Sequence, residues 1–159
     1  MDIRVGFGYD IHRLAEGESL WLGGIELEYV KGTVGHSDAD VLIHAICDAL
    51  LGSLNLRDIG FHFPDTDPQY KGADSKKLLA GVMELIRDKG FELGNVDATV
   101  VMELPKLNPH IPEMQRCLGE VMGVDSDRIS IKATTSEKLG FVGTEDGVKS
   151  YATVLVKKS

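Results

Sequence analysis

The chain has 159 residues, 43% hydrophobic and 26% charged, with a formal net charge of -8. Such a length and balance describe one globular domain, 1–159, long enough to bury a core, and they exclude a disordered chain. No apolar run reaches the roughly 20 residues of a membrane helix, and an acidic surface disfavours non-specific nucleic-acid binding, so neither a membrane nor a nucleic acid is expected as partner.

Residues 3–9 read as a first strand, rich in β-formers but interrupted by Gly6 and Gly8. Leu20-Trp21-Leu22 and Ile25-Glu26-Leu27 flank Gly23-Gly24, a two-residue hairpin signal. A helix is predicted over 38–54, where Val41, Leu42, Ala45, Ile46, Ala49 and Leu50 recur at i, i+3, i+4 spacing, with Ser37 or Asp38 as its cap. Residues 63–72 are dense in turn formers and read as an exposed loop. A second helix is capped by Asp74 or Ser75 and ends at Lys89-Gly90, where glycine can turn left-handed. A strand over 96–102 follows, then a third helix with Pro112 in its first turn, running to Met122-Gly123. Strands over 128–133 and 151–157 finish the chain. Strands alternating with helices after an initial hairpin predict an α/β (α+β) domain, a mixed sheet with helices packed on one face.

The start, Met1-Asp2-Ile3-Arg4-Val5, lacks the basic-then-apolar order of a secretory signal. Cys47 and Cys117 are the only cysteines and belong to no pairing motif. A reducing, cytoplasmic setting is therefore expected, and any metal is expected to be held through nitrogen and oxygen.

Asp10-Ile11-His12 carries the clearest chemistry. Residues i and i+2 of a strand share a face, so both side chains can converge on one point, and His44 in the first turns of the helix can join them. One carboxylate and two imidazoles suit a catalytic zinc ion with one tetrahedral position open. Asp40 and Asp48 flank His44 one turn away on either side; they read either as a solvated acidic face, which we favour, or as partners orienting the imidazole. His36-Ser37 precedes a helix start, where free N–H groups attract phosphate. In Lys132-Ala133-Thr134-Thr135-Ser136-Glu137-Lys138, Thr134 and Glu137 fit a capping box, the reading favoured on local grounds. The same hydroxyls and lysines can instead cradle phosphate, with Glu137 holding a hard divalent cation. Asp65 and Asp67 sit on a candidate lid, and Lys106 is a loop cation. Gly6-Phe7-Gly8 is no dinucleotide fingerprint, because Ile11 stands where the third glycine belongs.

Together these segments resemble the 2-C-methyl-D-erythritol 2,4-cyclodiphosphate synthase family of isoprenoid precursor biosynthesis. The resemblance runs essentially the full length, through Gly8-Tyr9-Asp10-Ile11-His12, His36-Ser37-Asp38-Ala39-Asp40-Val41 to His44, Asp58-Ile59-Gly60 and Phe63-Pro64-Asp65-Thr66-Asp67-Pro68. Lys71-Gly72-Ala73-Asp74-Ser75, Pro105-Lys106-Leu107 and Lys132 through Gly140 complete it. It implies a homotrimer with active sites between subunits, zinc or another divalent cation on Asp10, His12 and His44, and magnesium or manganese on Glu137. It implies that Lys106, Leu107, Ala133, Thr134 and Thr135 hold the cytidine diphosphate end of the substrate. His36, Ser37, Asp58, Gly60 and Asp65 would surround the methylerythritol phosphate end, with Asp10, His12 and Phe141 also touching substrate. His36, Thr135 and Glu137 are the positions it marks as catalytic. Thr144 and Tyr151 depart from the arginine and the acidic residue common in the family. A trimeric metal-binding protein without turnover is the alternative expectation.

Overall fold

The computed structural model describes residues 1–159. Its longest strand, β1 (Ile3–Glu16), continues well past the predicted end at residue 9. The glycines that interrupt its pattern are the reason it packs closely. A Cβ on Gly6 would stand 1.8 Å from the carbonyl oxygen of Ala49, and one on Gly8 would stand 1.9 Å from that of Ala45. Both positions bring the strand against a helix that no larger residue would allow.

β2 (Leu20–Leu22) and β3 (Ile25–Leu27) form the expected hairpin, with Gly23 and Gly24 at φ 63° and 82°. The primed turns of two-residue hairpins need these left-handed angles. β4 (Lys31–Val34) pairs with the far end of β1 and was not foreseen. The helix α1 (Val41–Ser53) starts after the predicted 38, because Asp40 rather than Ser37 or Asp38 is its cap. The Asp40 carboxylate accepts from the N–H of Ile43 at 3.0 Å and from those of Gly23 at 3.0 Å and Gly24 at 2.8 Å. It is fully buried, so its expected place on a solvated acidic face is wrong. Burial pushes its carboxyl up from the ordinary value, and the three backbone donors act against that rise.

α2 (Ile59–His62) is a single turn capped by Asp58. The Ile59 N–H donates to Asp48 at 2.8 Å, so Asp48 ties α1 to α2 and is not a free surface charge either. The loop over 63–72 contains one 3₁₀ turn, Pro68–Tyr70. α3 (Ser75–Asp88) takes Asp74 as its cap, and Gly90 follows it at φ 78°. β5 (Phe91–Val101) begins before the predicted 96. α4 (Ile111–Met122) has Pro112 in its first turn and ends on Gly123 at φ 71°, as predicted. β6 (Ile129–Thr134), the short α5 (Gly140–Gly143) and β7 (Gly147–Lys158) complete the chain; β7 starts before the predicted 151.

The five-stranded sheet has the order β4-β1-β7-β5-β6, antiparallel except for the β5–β6 pair, which α4 connects. It is mixed, with α1, α3 and α4 packed on one face, while Phe141 of the short α5 sits by Gly147 and Lys149 on the other. On the first face α1 lies on β1 and β7 with Leu42, Ile46 and Leu50 wholly buried, against Ala152, Val154 and Val156 of β7. Each such leucine or isoleucine contributes about 1.5–3 kcal/mol, so the position of α1 over β1 is among the firmest in the molecule. The opposite sheet face stays open: Val5 and Phe7 are each 64% exposed, and Tyr151 lies between Phe7 and Tyr9 with ring centroids 6.2 and 5.3 Å away.

Candidate metal centre and its flanking clefts

The alternation of β1 directs Asp10 and His12 to the side of Gly6 and Gly8, under α1. His44 lies in the first turn of α1, held there by the Asp40 cap. Asp10 Oδ2 stands 2.9 Å from His12 Nδ1 and 3.2 Å from His44 Nδ1, and one donor atom from each of the three residues lies within 4.8 Å of the others. Ligands on a tetrahedral zinc ion with bonds of about 2.0–2.1 Å are separated by about 3.3 Å, so this spacing is that of a cation site. His12 Nδ1 is buried and poorly aligned for a hydrogen bond despite its short distance to Asp10, which leaves it without a partner. A buried, unpaired nitrogen is costly unless something binds it. The donor set and this orphaned atom together fit a divalent cation.

The electrostatics agree. Burial would raise the Asp10 carboxyl, yet the two imidazoles hold it below the ordinary carboxylate range, so Asp10 stays ionised. Burial would lower His44, yet Asp10 outweighs it and the imidazole is raised. The other His44 nitrogen, Nε2, faces Ser75 Oγ at 3.0 Å and Ser37 Oγ at 3.3 Å. Asp38 accepts the Ser75 N–H at 2.9 Å and its hydroxyl, which fixes the start of α3 against the loop before α1.

A cavity of about 270 Å³ opens at the triad, lined by His12, His36, Ser37, His44, Gly60, Asp65 and neighbouring apolar side chains. This lining brings together His36, Ser37, Gly60 and Asp65. Asp58 stays outside this lining; its carboxylate caps α2 through the Phe61 N–H at 3.2 Å. On another side, Phe141 lines a hollow of about 620 Å³ together with His12, Ile11 and Asp146.

A separate cleft of about 330 Å³ is walled by Pro105, Lys106, Leu107, Ala133, Thr134 and Thr135, gathering all five residues expected at a cytidine diphosphate end. It has no lining residue in common with the triad cavity. Glu137 follows on an exposed turn, and the expected capping box is absent. Thr134 donates to the carbonyl oxygen of Thr135 at 3.3 Å, the Glu137 N–H donates to Thr135 Oγ1 at 3.2 Å, and no helix begins there. Glu137 and Lys138 instead adopt φ 56° and 60°, a left-handed pair that costs about 1–2 kcal/mol per residue. Glu103, which sequence reasoning passed over, accepts from the Ser136 N–H at 2.8 Å, the Ser136 hydroxyl at 2.9 Å and the Lys138 N–H at 3.3 Å. A partner so distant along the chain leaves no local signal.

The sequence matches the YgbB family over residues 3–157. A Porphyromonas gingivalis protein named 2-C-methyl-D-erythritol 2,4-cyclodiphosphate synthase is 67% identical over 153 residues, covering 96% of this chain and 94% of the relative. A Bacteroides fragilis protein of the same name is 63% identical over 158 residues, covering 99% of each. A solved structure of such a synthase in its CDP-bound form superposes with a TM-score of 0.90 at 38% identity, covering 97% of this chain and 100% of that one. The bifunctional IspDF from Campylobacter jejuni superposes with a TM-score of 0.96 at 40% identity over 99% of this chain, which spans 43% of that longer protein. Fold and sequence agree: the chain belongs to the YgbB family, the family of its relatives named 2-C-methyl-D-erythritol 2,4-cyclodiphosphate synthase.

Proposed function

We propose that the chain converts 4-diphosphocytidyl-2-C-methyl-D-erythritol 2-phosphate into 2-C-methyl-D-erythritol 2,4-cyclodiphosphate and CMP. The observation that carries this reading is the Asp10–His12–His44 cluster at the mouth of the cavity that also holds His36, Ser37 and Asp65. An oxygen of the substrate's own 2-phosphate attacks the β-phosphorus of the diphosphate. The bond from that phosphorus to the CMP oxygen breaks, and its electron pair leaves with CMP. No protein nucleophile is needed, in keeping with a buried Cys47 whose thiol is pushed well above its ordinary value.

Asp10, His12 and His44 hold a divalent cation, zinc in the reading we favour, and Glu137 holds magnesium or manganese. When bound, such ions neutralise phosphate oxygens and stabilise the charge that grows on the leaving group. The chain's own side chains position the rest. Lys106 and the hydroxyls of Thr134 and Thr135 grip the diphosphate, while Leu107 and Ala133 give the cytidine a wall. His36, Ser37 and Gly60 line the methylerythritol phosphate side, with Asp58 nearby on α2 and Asp65 on the loop that covers it. Phe141 closes the flank beside His12. Catalysis is then mainly a matter of holding two anionic groups in line, which is the larger part of many phosphoryl transfers.

A homotrimer accommodates two clefts that lie apart in one chain, since a neighbouring subunit can set its Lys106–Thr135 cleft against this subunit's triad. The open face carrying Val5, Phe7, Tyr9 and Ile11 supports such an assembly, because contiguous exposed apolar surface marks association. We place the enzyme in the cytoplasm on the ground that Cys47 and Cys117 are both free thiols, as a reducing compartment keeps them. The relatives are synthases by name, which leaves the non-catalytic alternative without support.

The deciding experiment incubates the purified protein with the cytidine-linked substrate and follows products by phosphorus NMR, beside elemental analysis and sedimentation. Expected are CMP, a cyclic diphosphate, about one zinc per chain from the single triad, and a trimer. A linear phosphate product would make it a hydrolase, and unchanged substrate would overturn the assignment.

A further inference from the structure

Glu103 is the residue the proposed reaction leaves without a role. It lies just after β5, beside Lys106, at the root of one wall of the 330 Å³ cleft, and all three of its hydrogen bonds cross to the turn that directly follows the other wall, Ala133–Thr135. All three converge on one oxygen, Oε1: the N–H of Ser136, the hydroxyl of Ser136 and the N–H of Lys138. Between these anchors sits Glu137, and next to them Thr135, whose hydroxyl accepts the Glu137 N–H. The second wall is joined to the first also by the Met102 N–H, which donates to the carbonyl oxygen of Thr134.

The turn so held is one the sequence does not favour. Glu137 and Lys138 carry a Cβ yet stand in the left-handed region, and glycine follows only at Gly140. Backbone of this kind persists where surrounding contacts over-determine it, and such sites cluster where geometry matters for function. Here the over-determining group is a single carboxylate oxygen from a distant part of the chain. Ser136 shares its one proton between Glu103 and the carbonyl oxygen of Leu139 at 2.8 Å, so the two backbone N–H groups are the constant part of the grip. The Ser136 N–H, more than the neighbouring Lys106 charge, holds the Glu103 carboxyl below its usual range.

We propose that Glu103 is a positioning residue: its Oε1 sets the left-handed turn at 136–138 and thereby the places of Thr135 and Glu137 at the diphosphate. This rests on the reading of Glu137 as a cation ligand and Thr135 as a diphosphate contact. The role depends on where the oxygen is, more than on its charge. Glu103→Gln keeps an acceptor oxygen in place and loses the charge; Glu103→Asp keeps the charge and draws the oxygen back by one methylene.

The test measures CDP affinity by calorimetry with and without added manganese chloride, and turnover of the cytidine-linked substrate, in wild type, E103D, E103Q and E137Q. Zinc content and melting temperature are recorded for each. E103D is expected to lose about tenfold in turnover and most of the manganese-dependent gain in CDP affinity, with zinc unchanged, because small misplacements of positioning groups are costly. E103Q is expected to stay within about twofold of wild type on both, an amide oxygen replacing the carboxylate oxygen as acceptor. The reverse order, with E103Q impaired and E103D not, assigns the residue's effect to its charge and overturns the proposal, as does equal behaviour of the two. E137Q is the control for the underlying reading. If E137Q keeps the full manganese-dependent gain, the cation assignment fails and takes this inference with it; if E137Q loses the gain and E103D does not, only the role of Glu103 falls.

Discussion

The Asp10–His12–His44 centre and the Thr134–Gly140 loop place functional side chains in opposite ways. The first is set by the core. His44 rides on a helix whose Leu42, Ile46 and Leu50 are wholly buried, and Asp10 and His12 sit on a strand brought under that helix by Gly6 and Gly8. The second is set at the surface, by residues in left-handed backbone tied down through Glu103. The geometry of the first is therefore coupled to global stability, while that of the second depends on a few local hydrogen bonds. Damage to the support of the triad should cost folding and function together, and damage to the loop should cost function alone.

The sharpest way to break this comparison is at the triad itself. His44→Ala removes a ligand but leaves α1 its buried apolar residues. It should lower turnover on the order of 10²–10³-fold, as expected from losing several kcal/mol of cation-based stabilisation, and release zinc, while circular dichroism shows the fold kept. An unfolded or dissociated variant would mean that the cation serves structure. Gly8→Ala attacks the support instead. Its Cβ would fall 1.9 Å from the Ala45 carbonyl oxygen, backbone that cannot swing aside, so strand and helix must part. Destabilisation of about 3 kcal/mol or more is expected, read as a lower midpoint in urea, with zinc affinity falling alongside. A stable Gly8→Ala protein with intact zinc would show that the triad tolerates movement of α1, and the coupling argued above would be wrong.

The same contrast governs what the sequence disclosed. The triad was legible because two simple periods, two along β1 and 3.6 along α1, decide which side chains face each other. The long strands and helices followed from the same patterning. What escaped depends on partners distant in the chain. Asp40 reads as a surface acid until the Gly23 and Gly24 N–H groups close on its carboxylate, and that capture moves the start of α1. Thr134 and Glu137 read as a capping box, but the loop's Ser136 and Lys138 donors are taken by Glu103. Gly6 and Gly8 weaken a strand pattern locally until a helix is laid on them, and β1 runs on to Glu16 because residues 10–16 pair with β7 and β4, both distant in the chain. The single-turn α2 and α5 and the four-residue β4 are too short to show a period.

On the loop side, Glu137→Gln sharpens the comparison with a smaller effect. The side chain is exposed and makes no hydrogen bond that supports the fold, so the melting temperature should hold within the range of ordinary surface changes, about 0.5 kcal/mol. Turnover should fall about tenfold to a hundredfold, and the magnesium or manganese needed for half-maximal rate should rise, with zinc content unchanged. Zinc loss from this variant would mean the two cation positions are wrongly divided between the triad and the loop.

The mildest probe is pH, read on the stability that zinc adds. Burial would lower His44, but the Asp10 carboxylate outweighs it, so without metal the imidazole takes its proton above the ordinary value of 6.5. A histidine raised in the folded state stabilises the metal-free protein below the unfolded value, and that contribution is lost as pH rises through the folded one. Cation binding has the opposite sign, because it needs the nitrogen free and expels the proton. The melting-temperature difference between zinc-loaded and chelator-stripped protein should therefore be largest near about pH 8 and shrink steadily toward about pH 5.5, the decline beginning above 6.5. Replacing Ser75 by alanine should leave this profile nearly in place, since the Ser75 hydroxyl faces Nε2 while the pair with Asp10 is made through Nδ1. A zinc increment that does not change with pH would show that His44 is not displaced from its proton by the metal, and the triad would lose one of its three ligands.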